Sequence, residues 1–109
     1  MLVSLLMPLA MSSMACQYDE ATAACYTLAE GIGNRLYTCG YVASPAAGEQ
    51  AVHDGWATAG LNCETSPISI ADERMFYDVC PGELEVFDCA LLLEEQIPAS
   101  CMQILYRSR

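Results

Sequence analysis

Seven cysteines in a chain of 109 residues, spaced Cys16-x8-Cys25-x13-Cys39-x23-Cys63-x16-Cys80-x8-Cys89-x11-Cys101, limit what this protein can fold into more than any other feature. Cysteines this dense serve either as metal ligands or as disulfides, and spacing separates the two. Structural zinc sites draw ligands from pairs roughly two to four residues apart. No such pair exists here, and the single histidine, His53, has no cysteine within nine residues. The pattern reads as a disulfide framework built from Cys25, Cys39, Cys63, Cys80, Cys89 and Cys101, which can pair in fifteen ways that sequence does not distinguish. A domain this small draws limited stability from its core alone, and each bridge adds roughly 2–4 kcal/mol. Bridges of this kind belong to an oxidising compartment. A thiol–disulfide exchange role would need a C-x-x-C pair, which is absent.

The first sixteen residues, MLVSLLMPLAMSSMAC, bear on the same compartment. They carry no charge, run apolar from Leu2 to Ala10, and end in Ser13-Met14-Ala15, which reads as a cleavage site before Cys16. Residues 1–15 are therefore expected to be an export signal and residues 16–109 a single cysteine-rich domain. The positive residues that usually open a signal peptide are missing, the first being Arg35. The competing reading is an apolar helix retained in the fold. As a helix the segment reaches only ~22 Å, short of the ~30 Å hydrocarbon core, so a spanning anchor is not expected.

If cleavage makes Cys16 the first residue, it resembles the lipidated cysteine of bacterial lipoproteins. That motif has an aliphatic residue three before the cysteine and a small one two before it. This chain has Ser13 and Met14 there, and matches only at Ala15. The resemblance implies a lipid on Cys16, with the other six cysteines free to form three bridges. Otherwise Cys16 is an extra thiol, left free or bridged to another chain.

Beyond the leader the periodicity is helical. Tyr18, Ala21, Cys25, Leu28, Ile32, Leu36 and Cys39 recur at steps of three and four, with Asp19 and Glu20 near the favourable N-terminal end. Gly31 and Gly33, at about 1 kcal/mol each in a helix interior, predict a kink or break within Glu30 to Asn34. A second helix is expected from about Ala46 to Leu61, with Val52, Trp56 and Ala59 on one side and Gly55 weakening the signal. Ser69-x-x-Asp72 resembles a helix-opening box and predicts a third helix over Ile70 to Val79. Pro81 ends it and opens a fourth, Glu83 to Glu95, and Pro98 opens a last short helix carrying Cys101, Ile104 and Leu105. Arg107 and Arg109 would close that helix. With no strand-like alternation, the expected fold is all-α, a small disulfide-stapled bundle of four to five short helices.

Charge narrows the function. Fourteen acids against four arginines and no lysine give a net charge of −10, which repels phosphate backbones and disfavours nucleic acid as a partner. The acids are dispersed, as on a solvated surface. Glu85 and Asp88, three apart on the expected fourth helix, are the one carboxylate pair placed to share a cation, and no calcium-loop motif accompanies them. His53-Asp54 is the only base-and-orienter candidate, and it reads as a surface histidine. No phosphate loop, nucleophile elbow or zinc-protease motif occurs, so neither enzyme activity nor a cofactor is expected.

The C-terminal Cys80-x8-Cys89-x11-Cys101, with Ile97-Pro98-Ala99-Ser100-Cys101, resembles small cysteine-rich exported bacterial proteins of unassigned function over residues 80–106. The resemblance implies a structural or binding role at the cell envelope, with an unknown protein or envelope partner and membrane contact only through a lipid on Cys16. Two alternatives stand beside it. One is a freely secreted inhibitor or effector using Tyr37, Tyr41 and Trp56 as anchors. The other is a carrier enclosing a small apolar ligand in a cavity lined by Leu28, Phe76, Phe87 and Leu91.

Overall fold

The computed structural model describes residues 20–106. The leader, Cys16 with its lipid and extra-thiol readings, Tyr18, Asp19, Arg107 and Arg109 lie outside the described residues. The first helix, α1 (Glu20–Thr38), buries Ala21, Ala24, Cys25, Leu28, Ala29, Ile32 and Gly33, one stripe at steps of three and four. It ends where Gly40 turns left-handed at φ 83°, with the Gly40 N–H donating to the Tyr37 carbonyl and the Tyr41 N–H to the Leu36 carbonyl. Helix α2 (Pro45–Thr58) opens on Ser44, whose hydroxyl oxygen accepts from the Ala47 N–H at 3.0 Å, and closes at Gly60 in the same way.

The break expected between Glu30 and Asn34 does not occur; α1 runs through it. The reason lies across the interface. A Cβ on Gly33 would fall 2.7 Å from the Glu49 Cα, and one on Gly48 would fall 2.8 Å from the Gly33 Cα. The two glycines let the helix backbones touch, and that packing outweighs their poor helix propensity.

From residue 60 onward the chain is shorter-ranged. Strand β1 (Ile68–Ile70) pairs antiparallel with β2 (Ile104–Tyr106), Ile68 opposite Tyr106 and Ile70 opposite Ile104. The fold is thus mostly helical but not all-α. The expected last helix is replaced by a 3-10 turn, Ala99–Cys101, running into β2. Ser69 lies in β1 opposite Leu105 and opens no helix. The helical backbone begins past Asp72, whose carboxylate accepts from the Met75 N–H at 3.0 Å. It widens into a π-turn over Met75–Val79 and continues as α3 (Cys80–Glu85). Pro81 sits in the first turn of α3, directly after the π-turn, and joins the third and fourth expected helices instead of dividing them.

The single helix expected over Glu83 to Glu95 is two, α3 and α4 (Cys89–Leu93). Arg35 donates from Nε and Nη2 to the Phe87 carbonyl at 3.0 and 2.8 Å, taking an acceptor a continuous helix would use. Asp88 then caps α4, accepting from the Leu91 N–H at 2.9 Å. Four α-helices, two long and two short, result among the described residues.

Three disulfides fasten these parts: Cys25–Cys63, Cys39–Cys89 and Cys80–Cys101, with Cα separations of 5.6, 5.8 and 4.8 Å, inside the usual range. Two tie α1 to the C-terminal half and the third closes that half on itself. The core they surround is Ala24, Leu28, Ala29, Ile32, Val52, Phe76, Leu84 and Leu92, with the Cys80–Cys101 bridge inside it. Three bridges in so small a chain suit an oxidising compartment. No helix of the described residues is long and apolar enough to cross a membrane.

Candidate apolar cleft

The residues singled out for chemistry do not assemble into a reactive site. His53 pairs along its own helix, Nε2 lying 3.7 Å from a Glu49 carboxylate oxygen, and its ring lies between Tyr26 and Trp56 at centroid distances of 5.5 and 5.8 Å. Asp54 accepts instead from Gln50 at 2.8 Å, so it does not orient the imidazole. The Glu85 and Asp88 pair is split, Glu85 ending α3 and Asp88 capping α4. Glu20 and Glu73 meet instead, beside a hollow of about 280 Å³ next to β1. The hydrogen bond that the protonated Glu73 carboxyl donates to the Glu20 carboxylate, and then the Glu20 charge, raise Glu73 above its ordinary value. Among the described residues no group of three or more His, Cys, Asp or Glu side chains could hold a metal ion.

What the fold does build is a cleft of about 590 Å³ between the helix pair and the returning C-terminal segment. One wall is the α1 face of Cys25, Leu28, Ile32 and Leu36, continuing its core stripe. The second is the α2 face of Ala51, Val52, Gly55, Trp56 and Ala59, again at steps of three and four. The third comes from Leu61, Ile68, Leu92, Ile97, Ile104 and Leu105. Cys25 and Cys101 belong to this lining: the Cys25–Cys63 bridge ties the first wall to the chain that leads into the third, and Cys80–Cys101 ties the third to α3. The cleft is open on one side, where Met102, Leu105 and Tyr106 leave about half of their surface to solvent.

Of the four residues expected to enclose a cavity, only Leu28 lines it. Phe76 is 2% exposed within the solid core, Phe87 packs against that core, and Leu91 points outward. The anchor residues separate too. Tyr37 and Tyr41 are exposed, with the Tyr41 hydroxyl donating to the Cys89 carbonyl at 3.1 Å, whereas Trp56 is half-buried in the cleft. Beyond Leu28, expected in a cavity, and Trp56, expected as an anchor, the lining was not foreseen as a site: the remaining α1 and α2 residues were read only as helix faces or a disulfide cysteine, and the third wall, Ala51 and Gly55 were not singled out. Gly55 carried a signal: a glycine beside Trp56 on an otherwise apolar helix face weakens the helix unless its missing side chain leaves needed space, and a Cβ there would meet nothing within 4 Å.

No known protein family matches the chain, and no curated protein or solved structure is detectably similar to it. The functional reading therefore rests on the cleft.

Proposed function

We propose that the chain is an exported, disulfide-stapled binding module whose cleft takes a small apolar molecule. The observation that carries this is the cleft itself: its volume lies in the range of small-ligand sites, its lining is largely aliphatic, and a few polar groups, Asn62, Ser66 and Gln96, stand at its border. A solvent-open apolar hollow of that size is costly to keep unless something fills it. Export follows from three bridges in a small chain together with the apolar leader. A lipid on Cys16 would hold the module at the bacterial envelope its C-terminal cysteine pattern suggests; without it the module is free.

Trp56, the only tryptophan, lines the cleft and reports on its filling. Titration of the oxidised protein with decanol should change Trp56 emission saturably. Gly55→Leu fills the cleft from a position with room for a side chain and should weaken binding by at least about tenfold without loss of fold. Absence of a saturable response, or undiminished binding by the leucine variant, would remove the reading.

A further inference from the structure

Resting on that reading, we infer that the cleft selects amphiphiles by headgroup charge, with Glu95 at its rim favouring a cationic head over an anionic one. Glu95 is the one charged residue lining the cleft among the described residues. Glu95 is exposed, and among the described residues its carboxylate has no hydrogen-bond or ion-pair partner, so the charge is solvated beside an apolar lining. An apolar wall beside such a charge strengthens its interaction with an incoming ion relative to open water.

The backbone at this position points the same way. Glu95 terminates α4 with φ 65°, its N–H donating to the Leu92 carbonyl and the next N–H, of Gln96, to the Leu91 carbonyl, both at 3.0 Å. The two equivalent positions, after α1 and after α2, hold Gly40 and Gly60. A glutamate in this left-handed conformation is disfavoured where glycine is not, and such residues concentrate at functional positions. The rest of the charge distribution agrees: Arg35, the cation nearest in sequence to the α1 wall, is occupied by the Phe87 carbonyl and is not a lining residue.

The ligand class that follows has an unbranched or lightly branched hydrocarbon body and a quaternary or primary ammonium head. The test compares decyltrimethylammonium, decanol and decanoate, all below their micellar concentrations, by Trp56 fluorescence on the oxidised full chain. The ammonium should bind about tenfold more tightly than decanoate, and Glu95→Gln should remove most of that difference while Glu95→Asp restores part of it. Raising salt should narrow the preference. If decanol binds but decanoate equals or exceeds the ammonium, headgroup selection falls and the cleft reading stands. If none of the three binds, both fall together. A Glu95→Gln variant that keeps the full preference would also overturn the assignment, and circular dichroism of each variant separates that result from misfolding.

Discussion

The two halves of this molecule are held by different means. Helices α1 and α2 meet through backbone contact at Gly33 and Gly48 and through the side chains around them, and no disulfide joins the two. The segment from residue 60 onward is a series of short pieces: a three-residue strand, a π-turn, helices of six and five residues, a 3-10 turn and a second three-residue strand. None of these is long enough to stand alone. All three bridges have at least one end there. Regular helices obtain their position from packing, whereas irregular chain obtains it from covalent links, and the cleft lies along the seam between the two regimes.

The comparison can be broken at either side. The largest effect is expected from the bridge with the longest loop, Cys39–Cys89, at 50 residues of separation. Replacing both cysteines by serine should cost about 4 kcal/mol in chemical unfolding, mostly through a freer unfolded chain, and should detach α4 before α2. A loss below about 1 kcal/mol would mean that the C-terminal half holds itself by packing after all.

On the packed side, Gly33→Ala puts a methyl group against the Glu49 backbone and should destabilise by about 1–3 kcal/mol despite better helix propensity. Gly55→Ala, on the same helix pair but facing open space, should stabilise by about 0.5–1 kcal/mol. Equal effects from the two would contradict the close crossing.

A smaller change sharpens the contrast at the rim. Glu95→Gly relieves the left-handed conformation and should raise stability by about 0.5–1 kcal/mol while weakening the ammonium ligand. The smallest effect concerns Glu73. Its folded-state pKa is raised by Glu20, so the pair adds stability only while Glu73 is protonated, fully present below the unfolded carboxyl value and lost as pH rises through the raised one. Glu73→Gln should flatten that part of the stability–pH curve; an unchanged slope would dissociate the two carboxylates.

The same division governs what could be read from the sequence. Helix α2 was legible from the spacing of Val52, Trp56 and Ala59, and α1 from its stripe of Ala21, Cys25, Leu28 and Ile32, because each pattern repeats over several turns. Gly33 misled because its value lies in a partner helix about 50 Å of extended chain away, a relation no local window holds. Strand β2 was mistaken for helix because Ile104-Leu105-Tyr106 is too short to show a period. Arg35 divided the fourth helix through a contact 52 residues away in sequence, and the local cap Asp88 makes on Leu91 was the signal passed over. The cleft was the least legible part, since its third wall is assembled from Leu61, Ile68, Leu92, Ile97 and Ile104, scattered over the irregular half. Oxidising surroundings, by contrast, could be inferred from cysteine spacing alone.

The cleft depends on which sulfurs are joined. Proteolysis of the oxidised protein without reductant, followed by mass spectrometry of the linked peptides, reads this directly. The account predicts Cys25 with Cys63, Cys39 with Cys89 and Cys80 with Cys101. Any other pairing among these six cysteines, or free thiols at them in the folded protein, would contradict it.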